Sequence, residues 1–221
     1  MHPNELCLNK LQAKQELLMD AYISVKEKYA IIKPALFSPD VCSNWGKGKA
    51  GRGFDVIRYT IANDVIKDIC NIAFDNSDKN SISISSIYEK LRKTEVLTQA
   101  REWCQVDEKP LRDGYCKQFD TAWETFKTTW DSFQANPSNS IIKKIRDKIV
   151  AHLELQYDME SASYSPLNIE KEGLKWPDLD NALKDIEVMV VALHLIITTK
   201  SFSVGSLGDL EKSANIFWAQ R

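Results

Sequence analysis

Only three histidines occur in the 221 residues: His2, His152 and His194. That scarcity leaves few candidates for acid–base work near neutral pH. His2 stands at the terminus and carries no reading. Cysteine is limited to Cys7, Cys42, Cys70, Cys104 and Cys116. The count is odd and no pair has CxxC spacing, which argues against a zinc or disulfide framework and fits a reducing, cytoplasmic setting. Charge of one sign is also missing: the formal net charge is −2. Any nucleic-acid site must therefore be a local patch. No long apolar run is present. The most apolar stretch, "VMVVALHLII" at 188–197, is too short for a bilayer and is interrupted by His194. It predicts a helix buried on most sides, with His194 as a buried, hydrogen-bonded histidine and no membrane partner. The first ten residues lack the apolar segment of a signal peptide.

Strand patterning is absent too, apart from the ambiguous "SISIS" at 81–85, and there is no internal repeat. What is there is helical period. Leu8, Leu11, Leu18, Tyr22, Val25 and Tyr29 recur at helical spacing and predict a first helix over about 4–31. "PALFSPDVCSNWGKGKAGRG" reads as a loop. A helix follows in "FDVIRYTIANDVIKDICNIAFD", and another begins near "SSIYEKLRK" with a serine as N-cap. Phe119, Trp123, Phe126, Trp130 and Phe133 fall at steps of four and three. Such a stripe marks the inner face of a bundle; a base-stacking platform would need exposed rings. "NPSNS" ends that helix and offers serine caps to the next. "YDMESASYSPLNIEKEG" reads as a looser segment. A last long helix starts at "WPDLDN", with Pro177 suited to a first turn, and a short one covers "LGDLEKSANIFWAQ". The expected fold class is all-α: one helical-bundle domain of six to seven helices over 1–221. It has a helical N-terminal part at about 4–105, a core at about 114–200 and a C-terminal helix at about 207–219.

Gly46, Gly48 and Gly51 match GxGxxG, but no strand precedes them and no βαβ unit surrounds them. The ordinary reading is a flexible loop with Lys47, Lys49 and Arg52 in solvent. A basic loop that touches phosphate is the alternative.

The segment "IIKKIRDKIVAHLE", residues 141–154, carries the chemistry. On an ideal α-helix at about 100° per residue, Ile142, Ile145, Ile149 and Leu153 share an arc of roughly 80°. His152 falls about 20° from Ile145, and Arg146 about 20° beyond Leu153. The two flank the packing seam, about 120° apart around the axis and roughly 9 Å apart along it. One helix does not easily bring them together. The same helix from a second subunit, related by a two-fold axis, would gather both pairs into one cleft. The other reading is a hydrogen-bonded core histidine with a snorkelling arginine at the edge.

"RDKIVAH" resembles the R-x(4–6)-H motif of the HEPN family (higher eukaryotes and prokaryotes nucleotide-binding domain). The layout of the chain, with a long first helix, "FDNSDKNSISISSIYEKL" and a Trp-containing helix before the motif, is similar to its AbiU-type abortive-infection branch. The resemblance implies a helical bundle that commonly dimerises, and a metal-independent endoribonuclease of toxin–antitoxin or antiphage systems. Arg146 and His152 would be catalytic and Asp147 their polar companion. RNA would be the substrate and an antitoxin protein a possible partner; no cofactor or metal is implied. Members modified by a nucleotidyltransferase carry tyrosine two residues after the histidine. Here Glu154 stands there, so that regulation is not supported.

The chemistry is sound in general terms. RNA brings its own nucleophile, the 2′-OH. An imidazole can move protons to and from the oxygens, and a guanidinium can grip phosphate in two places. Lys143, Lys144 and Lys148 would supply a local positive field for RNA, or are an ordinary solvated helix face. Asp147 would orient Arg146, or is solvated. Two other functions stay open: a catalytically inactive HEPN module that binds RNA or protein, and a helical assembly protein without a nucleic-acid role.

Overall fold

In the computed structural model, the described residues are 3–45, 51–76, 78, 80–102, 109–150, 155–158, 163–166, 169, 172–202 and 207–219. Among them the helices are α1 (Pro3–Phe37), α2 (Pro39–Trp45), α3 (Gly51–Phe74), α4 (Ile84–Leu91), α5 (Thr94–Glu102), α6 (Lys109–Ala135), α7 (Pro137–Ile145), α8 (Trp176–Thr198) and α9 (Gly208–Ala219). A π turn, Arg146–Val150, continues α7, and two four-residue strands, β1 (Leu155–Asp158) and β2 (Ser163–Pro166), pair between α7 and α8. The chain is all-α with one small hairpin added.

Two compact units emerge, and neither follows chain order. The first comprises Met1–Ile23, Asn71–Ala135 and Leu183–Val204. Its α1 face buries Leu8, Leu11, Leu18 and Tyr22, and its α8 face buries Met189, Val190, Leu193 and Ile196. Gln15 Nε2 donates to the Val190 carbonyl at 3.0 Å, and Tyr22 Oη donates to Glu187 Oε2 at 2.6 Å. The aromatic stripe of α6 turns inward as its spacing predicts. Phe119, Phe126, Trp130 and Phe133 are buried, and the rings from Trp123 to Phe133 stack in steps of about 6 Å, with Tyr88 of α4 tilted against Phe126 at 5.3 Å. The "SISIS" segment is no strand. Ser83 is the N-cap of α4 and accepts from Ser86 N, while the Ser83 N–H donates back to Ser86 Oγ, closing a capping box.

The second unit comprises Ser24–Cys70, Asn136–Ala182 and Gly205–Arg221. It buries Val25 and Ile32 of α1, Val65, Ile66, Ile69 and Cys70 of α3, and Ile142 and Ile145 of α7. Lys28 bridges Asp64 at 2.5 Å and Asp68 at 2.7 Å. α9 docks through Trp218. Its ring meets Trp45 and Phe54 edge-on, its Nε1–H donates to the Ile31 carbonyl, and Trp45 Nε1–H donates to the Trp218 carbonyl.

Two sequence expectations change. The segment from Pro34 that reads as a loop is helical as far as Trp45, apart from Ser38. Ile32, Ala35 and Leu36 extend the apolar period of α1 and are buried, so packing carries the helix through Pro34. The looser segment after residue 154 contains the antiparallel hairpin, in register Leu155↔Pro166 through Asp158↔Ser163. Strands of four residues are too short to declare a period of two. Gly51 and Arg52 open α3, so the third glycine of GxGxxG begins a helix with no strand before it among the described residues. Gly46, Lys47, Gly48 and Lys49 lie outside the described residues.

Candidate functional site

α7 is short and firmly started. Asn136, not a serine, is its N-cap: the Asn136 side chain accepts from Ser138 N at 3.0 Å, with Pro137 at the first helical position. Ile142 and Ile145 are fully buried and fix the inner face, while Lys143 and Lys144 stand exposed on the other side. Arg146 is the C-cap, and the backbone passes there from α to π winding. A π turn bonds i to i+5 and winds less per residue than an α-helix. The 100° spacing that relates Arg146 to His152 therefore holds only as far as Ile145. Single π turns inside α-helices recur at functional sites.

Arg146 and Asp147 are brought together. Arg146 Nε lies 2.8 Å from Asp147 Oδ1. Nε is buried and makes no hydrogen bond, so its N–H is turned off the line to that oxygen and the pair is electrostatic in character. The Arg146 side chain is 27% exposed and that of Asp147 50%. A half-exposed carboxylate contributes little stability here; its effect is to bias where the guanidinium sits.

Cys70, the third member of this cluster, carries no signal in the sequence. It lies on the buried stripe of α3 with no solvent exposure. Burial pushes its thiol up to about 12. Arg146 and Lys143 act against that shift, Arg146 also through a side-chain hydrogen bond, and Asp147 acts with it. The thiol is therefore a neutral neighbour of the guanidinium. A helix distant in sequence supplies it, and only packing reveals that.

His152 and Glu154 lie outside the described residues. Of the three candidate RNA-contacting lysines, Lys144 is paired with Glu172, whose side chain is only 7% exposed. Lys143 is exposed, and Lys148 is half-buried on the π turn. His194 departs from its expected role. It is only partly buried, its Nδ1 makes no hydrogen bond, and its ring faces Phe202 at 5.5 Å. Burial, with help from Lys200, lowers its pKa. A histidine held neutral by apolar surroundings can leave one nitrogen unbonded at smaller cost than a charged one. No helix among the described residues is long and apolar enough to cross a membrane.

A family model, HEPN_AbiU2 (AbiU2), matches residues 8–217. No curated protein matches the chain, and no solved structure does.

Proposed function

The chain belongs to the AbiU2 family of HEPN proteins, an abortive-infection family, and from that premise we propose that it is an endoribonuclease acting as a dimer. The observation that carries this reading is Arg146. It is a partly exposed guanidinium at the head of a π turn, steered by Asp147 and backed by Cys70. Such a group can bind a phosphodiester in two places and stabilise the charge that grows on it in the transition state. His152 would take the proton from the 2′-OH, and water would return one to the departing 5′-oxygen. The 2′-oxygen bonds to phosphorus as the P–O5′ bond breaks, so the products are a 2′,3′-cyclic phosphate and a 5′-hydroxyl. Lys143 and Lys148 would hold the strand nearby. Lys144, tied to Glu172, contributes less. An antitoxin protein that covers this site remains part of the proposal.

Single-stranded RNA incubated with the protein in EDTA should yield cyclic-phosphate ends, and Arg146→Ala and His152→Ala should each abolish them while the far-ultraviolet spectrum stays helical. Equal cleavage by the wild type and both variants would overturn the assignment. One observation favours a second reading, a silent RNA-binding module: Arg146 is already engaged by Asp147 and Cys70. Salt-sensitive RNA binding without cleavage would select it.

A further inference from the structure

α8 ends in a strained turn, on elements that carry none of the residues proposed for catalysis. The Thr198 hydroxyl donates to the His194 carbonyl at 2.7 Å, and its oxygen accepts from Lys200 N at 3.3 Å. The Thr199 N–H still bonds the Leu195 carbonyl at 2.9 Å, but Thr199 itself has φ 58°. Glycine usually takes that left-handed conformation at the end of a helix, and a β-branched residue adopts it only under constraint. Strain of this kind persists where the surroundings hold it in place. Phe202 supplies such a hold: its ring lies 5.5 Å from the ring of His194, so the turn folds back on the helix it ends. Phe202 also lines a groove of about 530 Å³, together with Ala122 and Thr125 of α6 and Val188, Val191 and Leu195 of α8.

His194 can hold Phe202 only while it is neutral. Its Nδ1 is buried and makes no hydrogen bond. A neutral imidazole tolerates this, because one of its nitrogens carries no proton. The cation carries a proton on both and would leave an N–H at Nδ1 buried without an acceptor. Among the described residues, the charged groups acting on the ring are Glu16 of α1, which favours the cation, and Lys200 of the turn, which opposes it. Burial is the largest influence and holds the imidazole below its ordinary 6.5. A released ring therefore binds its second proton more readily than a packed one. The packed state is fully favoured above pH 6.5 and is lost as pH falls below it. The ring is partly exposed and has a route to water. Once it turns outward, Phe202 loses its support and Thr199 can relax.

We propose that Phe202 is a pH-sensitive latch: it closes the α6–α8 groove at one end while His194 is neutral, and it swings away when His194 takes a second proton.

Amide exchange of the full chain tests this, read by mass spectrometry at pH 7.5 and pH 5.0 and corrected for the intrinsic pH dependence of exchange. The segment 195–202 should open about fivefold more at pH 5.0, while the interior of α6 stays unchanged. His194→Gln, which does not titrate, should abolish the difference. Phe202→Ala, which keeps the histidine, should open the same segment at pH 7.5 as far as acid opens the wild type. It should also move the His194 ring-proton titration up toward 6.5, with the signal assigned by its loss in His194→Gln. A full acid response in His194→Gln overturns the latch, as does a Phe202→Ala protein that exchanges like the wild type at pH 7.5. Equal acceleration of α6 would make the change global and overturn it as well. No arm depends on RNA cleavage, so failure of the nuclease reading leaves the result interpretable.

Discussion

At the residue scale, Arg146 is legible in the sequence and Cys70 is not. Arg146 sits in a short motif at the edge of a helical seam, and the structure pairs it with the Asp147 beside it. Cys70 is one of five cysteines without a motif until α3 is packed on α7; only then does its thiol meet the guanidinium. Its raised pKa gives a prediction with a definite sign. The unfolded thiol ionises near 9 and the folded one near 12. Whatever stability Cys70 contributes is complete below pH 9, and it is lost as pH rises from 9 toward 12, because the unfolded chain releases the proton first. Serine does not titrate there. Urea denaturation should therefore show wild type losing stability relative to Cys70→Ser across that window, by up to about 1.4 kcal/mol per pH unit. A difference that stays constant with pH would mean that the thiol is solvated.

At the element scale, strong periodicity was a reliable guide and local chemistry a partial one. The stripe from Phe119 to Phe133 predicts a buried face, and α6 provides it. The end of α1 was lost to Pro34, because proline and glycine signals outweigh a weak apolar period until tertiary packing decides the matter. The serines of "NPSNS", Ser138 and Ser140, point to a cap two or four positions too late. Asn136 holds that place because Pro137 needs an extended residue before it, and Asn136 adopts ψ 118°. Nothing in "RDKIV" signals a π turn, since its side chains suit an α-helix equally well. Removing the cap should loosen α7 at its start. Asn136→Ala is expected to lower stability by about 1 kcal/mol in thermal or urea unfolding. It should also speed amide exchange in residues 137–145.

At the scale of the whole molecule, the sequence conveyed the fold class and the family layout but not the division of contacts. Each unit draws on three separate stretches, and α1, α3 and α8 each contribute to both. Sequence reading follows chain order and so does not see units assembled across it. Arg146 heads the π turn that continues α7, and its cooperation with His152 is proposed to need a second copy. Complementation tests this most directly. Arg146→Ala and His152→Ala proteins, each inactive alone, are mixed, unfolded and refolded together. A composite cleft predicts that mixed dimers regain one intact arginine–histidine pair, restoring roughly a quarter of wild-type RNA cleavage after random pairing. A mixture as inactive as its parents, alongside an active wild type, would contradict a site shared between two copies.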